Sequence, residues 1–92
     1  MQVNFSATYR NITGIRSFEL DVNDGDTVSD GIQKILKLYP ELRVHWMNEA
    51  GELHAHLTVI LNKADILSLS EGLDTPLKPD DIFDFVPPVG GG

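Results

Sequence analysis

The sequence contains no cysteine. Disulfides, thiolate nucleophiles and cysteine-ligated metal sites are therefore excluded together, and any covalent chemistry must use another group. Basic residues are also scarce. Seven Lys and Arg stand against fourteen Asp and Glu, a formal net charge of −7. Such a chain repels phosphate, so nucleic acid is not an expected partner. A basic protein surface suits it better, because opposite fields speed encounter; acidity of this size also simply keeps a small domain soluble, and at this stage the two readings stand level. Long hydrophobic runs are missing too. The longest β-rich apolar stretch, Leu57-Thr58-Val59-Ile60-Leu61, is far short of a membrane span, and MQVNFSATYR has no basic segment followed by an apolar one. A cytoplasmic protein with no membrane partner is expected. In that compartment the sequons Asn4-Phe5-Ser6 and Asn11-Ile12-Thr13 never meet a glycosyltransferase.

Catalytic constellations are absent as well. Ser68 and Ser70 have no neighbouring histidine and no Gly-x-Ser-x-Gly elbow. The carboxylates are scattered over turns and helix ends, as on a solvated surface. His54-Ala55-His56 has metal-like spacing, since residues two apart on a strand share a face. Zinc would need a third ligand and usually a fourth, from His45, Glu49 or Glu52, and nothing in the sequence gathers them. Two solvated histidines entering a strand are the stronger reading. Asn23-Asp24-Gly25-Asp26 places its glycine one position early for a calcium loop starting at Asp21, and reads as a turn. No catalytic residue, metal site or permanently bound cofactor is expected.

What is present fits one small α+β domain over residues 1–86, followed by an extended tail over 87–92. Val3, Phe5, Ala7 and Tyr9 alternate with polar residues, as do Phe18, Leu20 and Val22, with turn residues from Asn11 to Gly14. This predicts an N-terminal hairpin. Thr27 and Asp30 form a capping-box pattern before Val28, Ile32, Ile35, Leu36 and Tyr39, which follow at helical spacing until Pro40. Gly31 either permits close packing or lies on the solvent face. Glu41 to Met47 predicts a short helical segment. Leu57 to Leu61 predicts a central strand buried on both faces, Asn62 to Asp65 a turn into a short strand around Ile66 and Leu67, and Ser70 to Asp81 an irregular stretch. The last strand, Ile82 to Val86, puts Phe83 and Phe85 on one face and Asp84 on the other. One mixed β-sheet packed on one main helix is the expected architecture.

The tail is Pro87-Pro88-Val89-Gly90-Gly91-Gly92. The prolines fix φ and favour an extended chain. Val89 offers one small apolar contact, and three residues without Cβ fit a channel barely wider than a backbone. Six extended residues reach about 20 Å. A frayed, inert end is the plain alternative.

PPVGGG, with Glu71-Gly72-Leu73-Asp74-Thr75-Pro76-Leu77-Lys78 and Tyr39-Pro40-Glu41-Leu42-Arg43, resembles the MoaD small subunit of molybdopterin synthase, within the MoaD/ThiS superfamily of ubiquitin-like sulfur carriers. The resemblance covers nearly the whole chain. It implies a ubiquitin-like β-grasp with a flexible C-terminal Gly-Gly tail. It also implies that an E1-like adenylating enzyme uses ATP to activate Gly92, and that a sulfur donor protein converts the acyl-adenylate to a thiocarboxylate. Pro87, Pro88, Val89, Gly90 and Gly91 would then bind in the partner's active site. The carrier would serve the large subunit of molybdopterin synthase in molybdenum-cofactor biosynthesis, as a non-catalytic subunit. The sheet face near the last strand, with Val86, is the expected contact surface. Gly90 stands where family members often carry Ala, Ser or Thr, and Val-Gly-Gly-Gly also ends the thiamin carrier. Sulfur delivery to thiamin, an amino acid or tRNA, and conjugation to a lysine as a protein modifier, are the alternatives. Asp80 stands where a glycine is common before the last strand.

Overall fold

A computed structural model describes residues 1–54 and 57–87. The chain forms β1 (Gln2–Phe5), α1 (Ala7–Thr13), β2 (Ser17–Glu19), α2 (Val28–Leu38), α3 (Arg43–Trp46), β3 (Thr58–Leu61), β4 (Ala64–Asp65) and β5 (Ile82–Val86), with 3-10 turns at Pro40–Leu42, Ile66–Ser68 and Gly72–Asp74. The strands make one mixed sheet in the order β2-β1-β5-β3-β4. β1 and β5 run parallel at its centre, Val3 opposite Phe83 and Phe5 opposite Phe85, and every other pairing is antiparallel.

Helix α2 is the main helix on this sheet. Thr27 Oγ1 accepts from the Asp30 N–H at 3.3 Å, and Asp30 Oδ2 accepts from the Thr27 N–H at 2.9 Å, so the expected capping box is present with Asp in place of Glu. Val28, Ile32, Ile35 and Leu36 are buried, the stripe that the 3.6-residue period lays toward the sheet. The helix ends because Pro40 pushes Tyr39 out of helical conformation, to φ −130°. Gly31 is buried, and a Cβ there would lie 2.8 Å from Leu77 Cδ1 and 2.9 Å from the Phe83 ring. Close approach of helix to sheet is thus its role, the first of the two alternatives.

Three expectations fail in detail. β1 and β2 do pair, but no tight hairpin joins them, since residues 7–13 form α1. Ser6 is extended at its N-cap, and Gly14 caps its C-terminus in the left-handed region at φ 81°, its N–H donating to Arg10 O. Tyr9, read as the end of an alternating strand, is buried from that helix. Leu57 to Leu61 is not the central strand. β3 lies second from the edge and alternates, Val59 and Leu61 buried, Thr58 and Ile60 half-buried, whereas the central position belongs to β5. The short strand after the turn is Ala64–Asp65, not Ile66 and Leu67. Asp65 accepts from the Leu67 N–H at 2.9 Å and starts a 3-10 turn there, which ends the strand.

The stretch from Ser70 to Asp81 is irregular but tied down. The Val28 N–H donates to Thr75 O and the Leu77 N–H to Asp26 O, so this segment crosses the start of α2 and buries Leu77. Asn23 to Asp26 is a turn, closed by Asp26 N–H to Asn23 O and by the Asp26 carboxylate on the Asn23 N–H. Lys34 from α2 pairs with the same carboxylate.

Candidate functional site

The expected site hangs from β5, and the sheet positions its root from both sides. Val86 pairs with Thr58 of β3, Phe85 pairs with Phe5 of β1, and the Ser6 N–H donates to Phe85 O. Pro87 has no N–H to give, and the strand ends at Val86. Pro87 itself is half-buried. Pro88, Val89, Gly90, Gly91 and Gly92 lie outside the described residues.

The inner face of the root is aromatic. All seven aromatic side chains form one connected cluster, in which Phe85 meets Phe5, Trp46 and Phe83. Trp46 stacks on Phe85 with ring centroids 4.4 Å apart and planes 19° from parallel. Tyr9 from α1 meets the other part of the indole edge-on at 5.6 Å. Burial raises the Tyr9 phenol above its ordinary pKa, and the adjoining Trp46 indole works against that shift. Side chains from α1 and α3 thus pack against the end of the central strand. The sequence contains Trp46 in a stretch readable as helical, but nothing in its spacing announces the stack on Phe85.

The start of β5 is fixed by a polar lock. Asn62 Nδ2 donates to Asp81 Oδ1 at 2.8 Å, Asn62 Oδ1 accepts from the Ile82 N–H at 2.9 Å, and Asp81 Oδ2 accepts from the Lys78 N–H at 2.8 Å. Asp81 is buried, and these donors satisfy its carboxylate. Among the described non-glycine residues only Asn62 and Lys63 have positive φ, at 51° and 71°. Asp80 therefore takes its place in the turn without left-handed backbone.

The opposite sheet face is open. Ile82, Asp84 and Val86 of β5 share it, flanked by Asn4 and Ile60, and Asn4 Nδ2 donates to Asp84 Oδ1 at 2.9 Å. Ile82 is 39% exposed and Val86 half-buried, so a mixed apolar and acidic surface surrounds the tail's strand.

Of the histidine pair only His54 is described. His54 precedes β3, with its N–H donating to Trp46 O at 2.8 Å, and His56 lies outside the described residues. His45 is on α3. Among the described residues no three His, Asp or Glu side chains come together as a metal site, and no helix is long and apolar enough to cross a membrane.

The ThiS family model matches residues 3–92. Small archaeal modifier protein 3 of Haloferax volcanii is 32% identical over 92 residues, spanning all of this chain and 98% of that protein. The crystal structure of SAMP1 from Haloferax volcanii superposes with a TM-score of 0.87 at 26% identity, over all of this chain and 98% of that one. A chain of the BexX/CysO complex of Amycolatopsis orientalis superposes with a TM-score of 0.78 at 27% identity, over 99% and 98% of the two chains.

Proposed function

The chain belongs to the ThiS family of ubiquitin-like sulfur carriers and modifiers, and from that premise we propose that it carries its activated group on Gly92. The observation that carries the proposal is the build of β5: a central strand clamped on both sides that ends at a residue unable to pair. A rigid domain followed by Pro87-Pro88-Val89-Gly90-Gly91-Gly92 delivers one carboxylate at a distance from its own surface. Free carboxylate resists substitution. An E1-like adenylating enzyme supplies the leaving group from ATP, with the Gly92 carboxylate attacking the α-phosphorus and pyrophosphate departing. The persulfide of a sulfur donor protein then attacks the acyl carbon and AMP leaves, and a second thiol on that donor or on the activating enzyme cleaves the acyl disulfide, giving a thiocarboxylate and a disulfide. The chain has no thiol that could intercept the activated acyl group.

The resemblance of residues 39–43, 71–78 and 87–92 to the small subunit of molybdopterin synthase supports delivery of that sulfur to the molybdopterin precursor, on a large catalytic subunit. A second fate is favoured by the 32% identity to a protein named as a modifier. There the activated Gly92 carbonyl is attacked by a lysine amine of another protein, AMP or sulfur leaves, and an isopeptide bond forms.

Incubation with the cognate adenylating enzyme, ATP and a sulfur donor tests the common step by intact mass. One oxygen is expected to be exchanged for sulfur at Gly92, and the exchange disappears when Gly92 is deleted. No exchange with a demonstrably active enzyme would overturn the proposal. Rescue of a strain lacking molybdopterin supports the first fate, and adducts that survive reducing denaturation support the second.

A further inference from the structure

One hollow on the surface lies not on the open sheet face but beside α3. It has a volume of about 490 Å³ and is lined by Arg43, Val44, Met47, Asn48, Glu49 and His54. Val44 is 77% exposed, an apolar side chain with no covering element among the described residues. Arg43 gives the hollow a fixed cation in a chain of net charge −7, and the described ion pairs, Met1 with Glu19 and Asp26 with Lys34, do not include it.

Position decides what can fill this hollow. Its wall is one residue from Trp46, whose ring stacks on Phe85 and whose carbonyl accepts from the His54 N–H. The tail leaves the sheet two residues after Phe85. Five further residues, Pro88 to Gly92, reach roughly 17 Å when extended, and they carry one apolar side chain and one anionic end.

We propose that this hollow is a docking site for the chain's own C-terminal segment, with the Gly92 carboxylate on Arg43 and Val89 against Val44 and Met47. Ordering glycine is costly, so the contact is weak. Weakness is sufficient, because a tethered ligand faces its site at an effective concentration in the mM range, and a dock of about mM affinity is then half filled. The contact depends on the anion. A carboxylate or thiocarboxylate is held, whereas an uncharged acyl derivative is released. Docking in cis goes beyond the activation reading. It holds the tail until a partner's channel outcompetes Arg43.

Methyl NMR on the full chain tests this without any activating enzyme, so a failure of sulfur loading and a failure of docking are separable. The comparison is between Gly92 as free acid and Gly92 as C-terminal carboxamide. Capping is expected to shift the methyl resonances of Met47 and Val44. Arg43→Ala is expected to shift them the same way and to abolish the further effect of capping, and Glu49→Gln to move them oppositely. Capping that leaves Met47 and Val44 unchanged overturns the proposal. So does a capping effect that persists undiminished in Arg43→Ala, whose exposed side chain lies outside the core.

Discussion

Gly31 sets the distance between α2 and β5, and its lack of a side chain is used in full. An added Cβ would meet Leu77 Cδ1 and the Phe83 ring inside 3.0 Å. The leucine end can yield, but Phe83 is wholly buried between its neighbours. Gly31→Ala is therefore expected to cost about 1–3 kcal/mol despite its better helix propensity, read as a lower midpoint in denaturant. Asp26 gives a pH signature. Its bond from Lys34, then that from the Asn23 N–H, hold its carboxyl below the ordinary 3.8. The folded value is the lower one, so the stabilisation is present above the ordinary carboxylate range and lost as pH falls through the lowered value. Wild type and Asp26→Asn are expected to differ in stability at neutral pH and to converge in acid. A gap that stays constant down to low pH would contradict this. The capping box around Thr27 was legible because capping is written locally. The Asn62 and Asp81 lock was not, because its partners lie 19 residues apart and no period links them.

At the level of elements, the helices and strands with one dominant contact face were readable. α2 and β5 each bury one stripe or one side of the pleat, and both stand where the pattern placed them. α1 was missed because Val3, Phe5, Ala7 and Tyr9 satisfy period 2, while Tyr9 in fact packs in the core against Trp46, which only the tertiary fold brings near. The punctuation was there: Ser6 as N-cap and Gly14 at the left-handed C-cap. β3 was misplaced as central because apolar richness does not distinguish second from third place in a sheet, and its half-buried face looks out between β5 and β4. The β3–β4 turn holds Lys63 at φ 71°. Left-handed backbone costs a side-chain-bearing residue about 1–2 kcal/mol, and glycine gives back about 0.5–1 in unfolded-state entropy. Lys63→Gly is expected to stabilise the domain by about 0.5–1 kcal/mol in chemical denaturation, and a loss of stability would show that the lysine is held by contacts outside the turn.

For the molecule as a whole, the sheet, the acidic exterior and the glycine end are separate devices joined at β5. The open face of β5, with Ile82, Asp84 and Val86, offers apolar contact together with negative charge, and we propose it as the surface by which a partner holds the domain. Ile82→Glu is expected to raise the KM for activation about tenfold, equivalent to 1.4 kcal/mol, while the thermal midpoint changes little because Ile82 is partly exposed. A KM unchanged within error would move the docking surface elsewhere. Composition already excluded thiol chemistry and disfavoured nucleic acid, and the order of motifs up to PPVGGG carried the family. The acceptor of the activated group was not legible, since it depends on a partner's surface rather than on this chain's core.

The central proposal is that the chain presents Gly92 for adenylylation, and ATP–pyrophosphate exchange by the cognate adenylating enzyme tests it most directly. Exchange is expected to depend on the presence of this chain and to vanish when Gly92 is deleted, with the fold of residues 1–87 unchanged. Exchange that continues at the same rate with the truncated chain would contradict activation at Gly92.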